Sequence, residues 1–198
     1  MPATRMESAF PQNYKVEILE RLPMLIEEPR QFVYPKQAEE VERGALLLRI
    51  VPENSARFVA VCALGFDSPS VVTGIYGTPH PDWLCAVCGG YAYLVNVREP
   101  EKWHFVPSRP VLEVRAAVEA GALLFADFQT ISGFTAQGAL WQTAPLSWEG
   151  IRIAEIGSQE IVGYGWEPVQ DRELPFTVDL MTGRHTGGAM PKVTPARR

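Results

Sequence analysis

Disulfide chemistry, basic charge and long apolar runs are all scarce in this sequence. Its 198 residues include three cysteines, Cys62, Cys85 and Cys88. An odd number behind MPATRMESAF, which has no apolar leader segment, does not make a secreted disulfide framework, so a cytoplasmic location is expected. No stretch approaches the 18 apolar residues of a membrane helix, so no membrane is expected as a partner. Lysine and arginine number 18 against 23 acidic residues, for a net charge of −5. The only basic concentration is Lys192, Arg197 and Arg198 near the end, which makes nucleic acid an unexpected partner. Sequences of the form G-x-S-x-G, H-E-x-x-H, G-x-G-x-x-G and the Walker A loop are missing. After residue 44 there is no ten-residue run of helical periodicity.

What is present is turn-forming residues and short apolar runs. Sixteen glycines and 17 prolines punctuate segments rich in β-branched and aromatic residues. These segments read as strands at 45–51, 57–64, 71–76, 83–88, 91–97, 111–118, 122–126, 129–135, 139–142, 150–156, 159–166 and 173–180. Gly89-Gly90, Gln137-Gly138, Gly157-Ser158 and Thr182-Gly183 separate neighbouring runs as hairpin turns do. Four such turns in series favour a meander. The fold class expected is mostly β: an antiparallel meander forming a sandwich or a small propeller-like stack of sheets, with a short mixed N-terminal segment. The boundaries expected are a flexible end at 1–13, one β-rich domain at 14–188 with its mixed segment at 14–43, and a flexible tail at 189–198. Residues 36–43 read as one or two polar helical turns. The β body from 44 to 188 is about 145 residues, which at about 40 per blade is fewer than four propeller blades, so the sandwich is the preferred form.

The segments CALGFDSP, PDWLCAVCGGYAYLVN, LLFADFQTISGF, GALWQTAPLSWEGIRI and LPFTVDLMTGRHTGG resemble a family of bacterial proteins with no assigned activity. The resemblance spans about three-quarters of the chain. It implies a bacterial, soluble, single-domain protein and transfers no site residue.

Three groups of residues carry candidate chemistry. His80, Cys85, Cys88 and His104 have the ligand types of tetrahedral zinc. Residues three apart in a strand point to opposite faces, however, so WLCAVC reads first as core and no cofactor is favoured. Asp127, a charge in LLFADFQ, and His104 are the catalytic candidates, with a surface or half-buried polar role as the plainer reading of each. Trp141, Trp148 and Trp166 are the binding candidates. Core packing is the default for an aromatic side chain, and a surface cluster of two or more would reverse it.

The expectation is therefore a non-enzymatic cytoplasmic binding or protein-interaction module, taking a protein or small-molecule partner and forming a homodimer. The alternatives are a small hydrolase-like enzyme with a dispersed site and a zinc-stabilised structural module.

Overall fold

A computed structural model describes residues 5–36 and 43–189. Every regular element among them is a strand, and no helix is long and apolar enough to cross a membrane. The seventeen strands form four sheets. Sheet I contains β2 (Tyr14–Ile18), β4 (Ala45–Pro52), β5 (Phe58–Ala63) and β3 (Gln31–Tyr34), in that order. Sheet II runs β1 (Arg5–Glu7), β6 (Gly74–Gly77), β7 (Trp83–Cys88), β8 (Tyr91–Asn96), β9 (Trp103–Phe105). Sheet III is the meander β10 (Glu113–Ala117), β11 (Ala122–Ala126), β12 (Ile131–Thr135), β13 (Leu140–Gln142). Sheet IV is the meander β14 (Ile151–Ile156), β15 (Glu160–Glu167), β16 (Arg172–Asp179), β17 (His185–Gly187).

The hairpin turns fall where the glycines are. Gly89 and Gly90 both have positive φ, 57° and 74°, and they join Cys88 to its cross-strand partner Tyr91. Two consecutive positive φ values make a type I′ turn, whose twist matches that of the strands it joins.

The sheets stack face to face in the order I, II, III, IV, and each junction is an apolar core. Leu48, Ile50, Phe58 and Cys62 of sheet I meet Leu84, Ala86, Cys88 and Tyr93 of sheet II. On the other face of sheet II, Trp83, Cys85, Val87 and Leu94 meet Leu123, Phe125 and Phe134 of sheet III. Leu124, Ala126 and Ile131 of sheet III then meet Ile153, Ile161, Phe176 and Val178 of sheet IV. A strand buried on both faces needs apolar residues at both parities, which is why WLCAVC and ALLFA are continuous apolar runs. Among the described residues no buried cluster joins sheet IV to sheet I, so the stack is open.

The N-terminal part differs from its expectation. Residues 5–13 are not a loose end: β1 pairs in parallel with β6, and Phe10 is buried in the sheet II–III core. The β body does not begin at residue 44 either. Strand β2 pairs with β4, and β3 pairs in parallel with β5, so the 14–34 segment completes the first sheet and the chain does reach four blade-like layers. The predicted helical turns and the predicted tail fall largely outside the described residues. Ala189, at the start of that tail, is buried and donates its N–H to the Leu146 carbonyl at 2.7 Å.

Candidate functional site

Strand β15, EIVGYGWE, sits at the centre of the last sheet. Ile161, Gly163 and Gly165 face sheet III. A side chain at Gly163 would meet the Phe176 ring at 2.4 Å, and one at Gly165 would meet the Leu146 carbonyl oxygen at 2.2 Å. Glycine is required there by close approach, and the 143–150 connection seats itself against the strand as a result.

The alternate residues, Val162, Tyr164 and Trp166, point to the outer face. They stand opposite Thr177, Pro175 and Glu173 of β16 respectively. Arg152 of β14 lies opposite Tyr164, with its guanidinium 4.3 Å from the ring centroid. Arg152 also donates from Nε to Glu173 at 3.0 Å, and its hydrogen bond lowers the Glu173 carboxyl pKa below the ordinary range. The face thus carries a half-buried apolar and aromatic stripe, spanned by the Arg152–Glu173 ion pair. Antiparallel sheets with one solvated face normally alternate apolar and polar residues. The sequence of β15 is instead free of charge at both parities from Ile161 to Trp166, and among the described residues no further sheet lies beside it.

Trp148 extends this face. It is 45% exposed, and its backbone N–H donates to the Trp166 carbonyl at 3.1 Å. Ser147 fixes the junction, its hydroxyl accepting from the Trp166 N–H at 2.8 Å and donating to the Gly150 carbonyl at 2.6 Å. Two of the three binding candidates therefore meet at the rim of sheet IV. Trp141 does not join them. Its indole N–H donates to the Leu180 carbonyl at 3.0 Å, and its ring covers Gly133 and Gly183 at the sheet III–IV junction.

The other candidates are dispersed. Cys85 and Cys88 enter different cores. His104 is exposed and stacks on Trp83, with centroids 5.1 Å apart. His80 accepts the Asp82 N–H through Nδ1 at 3.2 Å. Among the described residues, no three His, Cys, Asp or Glu side chains are grouped as a metal site would require. Asp127 lies just past β11 and organises the next turn. It accepts from the N–H groups of Gln129 and Thr130 at 2.7 and 2.6 Å and from the Thr130 hydroxyl at 2.7 Å. His185 lines an open polar cleft of about 660 Å³ with Glu160, Asp179 and Arg184. There Asp179 is committed to its own turn: a hydrogen bond from the Thr182 side chain, then backbone donors, depresses its pKa.

A second apolar surface was not singled out in the sequence. In the β2–β3 connection, Leu22, Met24, Leu25 and Ile26 are all exposed. Its signal was available: LPMLI is an apolar run inside a proline-bounded loop, where turns are ordinarily polar. The signal for Val162 and Tyr164 was the unbroken apolar parity of β15.

No protein-family model matches this chain, and no curated protein matches it. Among solved structures it is similar to a chain in the S. cerevisiae complex of Dbp5 bound to Nup159, Gle1, IP6 and ADP, with a TM-score of 0.36 and 11% identity. It is also similar to the N-terminal domain of Nup159, with a TM-score of 0.36 and 10% identity. In each case the match covers 96% of this chain and 55% of the other, so the chain spans about half the length of the structures it resembles.

Proposed function

We propose that this chain is a non-enzymatic protein-interaction module whose binding surface is the outer face of sheet IV. The observation that carries the reading is the apolar outer parity of β15, Val162, Tyr164 and Trp166, on a sheet whose other face alone joins a buried cluster among the described residues. Rigid aromatic side chains with an arginine stacked among them are the residue types that concentrate binding energy at interfaces. The two catalytic candidates support the same reading by what they do instead, Asp127 building a turn and His104 stacking on an indole.

The test is site-specific photo-crosslinking in the native host. A benzophenone amino acid at position 166 is expected to yield a discrete protein adduct, and the same probe at the exposed position Lys102 is expected to yield none. Absence of any adduct at 166, or an equal adduct at 102, would overturn the proposal.

A further inference from the structure

Strand β6 is an interior strand only because β1 covers it. All four of its residues, Gly74–Gly77, are buried. Ile75 lies in the core between sheets I and II, and Tyr76 in the core between sheets II and III. Without β1 its backbone would be an open sheet edge, and such an edge is a template for a further strand. The cover is slight. Strand β1 has three residues, two of them exposed and one half-buried. Met6 is 57% exposed, and Arg5 and Glu7 pair with each other. The next buried side chain along the sequence is Phe10, so residues 5–7 can leave β6 while the core between sheets II and III keeps its Phe10 anchor. A segment held by a few ladder hydrogen bonds and little apolar burial lies at the low end of local stability.

A groove flanks β1 on each side. The register sets Met6 beside Ile75 and Glu7 beside Tyr76. Met6 therefore faces the sheet I side, and Arg5 and Glu7 face the sheet III side. The groove on the sheet I side has a volume of about 420 Å³ and is walled by Tyr14, Val16 and Ile75, with Ser8, Gln12 and Lys15 as its polar lining outside β1. The groove on the sheet III side has a volume of about 610 Å³ and is walled by Val72, Tyr76, Val114 and Ala116. Glu113 and Arg115 also line it and pair with each other. The side chains of β1 leave both grooves open. A sheet edge between two grooves is the layout of strand addition, in which the backbone ladder supplies affinity and the pockets read alternate side chains.

We propose that the β6 edge is a strand-addition site, that β1 is its intramolecular placeholder, and that the partner it fits is an extended segment of another protein with apolar side chains at three successive positions. The central side chain seats in the sheet I groove against Tyr14, Val16 and Ile75. Its two neighbours seat in the sheet III groove against Val72, Val114 and Ala116. The walls call for no charged guest, because Glu113 and Arg115 already neutralise each other. A segment apolar at both parities is the pattern of this chain's own two-sided strands, WLCAVC and ALLFA, and it buries wall surface that Arg5, Met6 and Glu7 leave open. A second copy offers only the same Arg-Met-Glu strand, so exchange between copies gains nothing over β1 in place. The site is separate from the outer face of sheet IV and does not depend on it.

The probe is a fluorescein-labelled peptide of residues 3–9 carrying Arg5→Val, Met6→Phe and Glu7→Val, titrated with the full chain and read by fluorescence anisotropy. It is expected to bind at least about 10-fold more tightly than the unchanged peptide, from the apolar surface its side chains bury. The protein variant Met6→Gly with Glu7→Gly loosens a strand that is already exposed. It should tighten binding by about 10-fold, because only molecules with β1 detached can take the peptide. The decisive variant carries the three apolar substitutions in the protein itself. They fix the placeholder in the grooves and should abolish binding of the peptide. If that variant loses its fold by circular dichroism, hydrogen exchange of the wild type supplies the second readout. The peptide should then raise protection at Gly74–Gly77 and lower it at Arg5–Glu7. No binding by either the wild type or the glycine variant, equal binding of the unchanged peptide, binding that survives the three substitutions, or unchanged exchange at β6 would overturn the proposal.

Discussion

Cys85 and Cys88 stand three positions apart in extended chain, and that spacing sends their thiols into different cores. Cys62 joins Cys88 in the core between sheets I and II. Burial is the main cause that raises each thiol, and it lifts Cys88 to about 11 against a partly opposing hydrogen bond at Leu46. Cys62 and Cys85 are raised further, again by desolvation. In the unfolded chain a thiol titrates near 8.5. Below that pH both states keep their protons and the contribution to stability is complete. Above it the unfolded state loses protons first, so stability falls as pH rises from about 8.5 toward the folded values. Tyr76, raised to about 12 by burial, extends the same trend. Native protein at pH 8 is therefore expected to release no thiolate to a disulfide reagent, and all three cysteines should react after denaturation. Urea midpoints should decline between about pH 8.5 and 11. Prompt labelling of the native protein, or a flat alkaline limb, would contradict this account of the cores.

At the scale of elements, legibility follows what each strand packs against. Strands β7 and β11, whose local patterns are apolar at both parities, have their predicted bounds of 83–88 and 122–126. The positive-φ glycine turns were equally plain, because the backbone conformation itself selects the residue. Strands β1, β3, β9 and β17 were not predicted. Each has three or four residues and lies at a sheet edge. Two of them pair in parallel with strands far along the chain, and no local pattern encodes a distant partner. The same limit hid half of the candidate surface. Trp148 and Trp166 were candidates by composition, but that they share a rim depends on Ser147 bonding across 19 residues. The β2–β3 connection shows how a loop acquires fixed structure without a strand, by folding a carboxylate between two arginines. Glu28→Ala removes the acceptor shared by Arg49 and Arg57 and should cost about 1–3 kcal/mol, with Glu28→Gln costing less. Because Arg49 keeps Glu17 at 2.5 Å, the loss should be local. Limited proteolysis should then cut within residues 19–30 before the rest of the chain. Cleavage elsewhere first would mean that Glu28 does not anchor this connection.

For the whole molecule, the serial order of the cores sets how stability is distributed. Among the described residues, sheets II and III are packed on both faces, whereas sheet IV is packed on one. In a stack where each layer touches only its neighbours, stability is a sum of layer and junction contributions, and opening begins at the ends. At the sheet II–III junction the rings of Phe125 and Phe134 are fully buried, so Phe125→Ala should cost about 3–5 kcal/mol and lower protection in both inner sheets together. Sheet IV should open before them, since detaching it breaks the single junction held by Ile153, Ile161, Phe176 and Val178. Native-state hydrogen exchange under increasing denaturant reads this directly. The amides of β7, β8, β11 and β12 should exchange last and only through global unfolding. Those of β16 and β17 should exchange earlier, through a partial opening with a smaller denaturant dependence. Uniform protection across all four sheets would show that the junctions are not separable and that the chain unfolds as one unit.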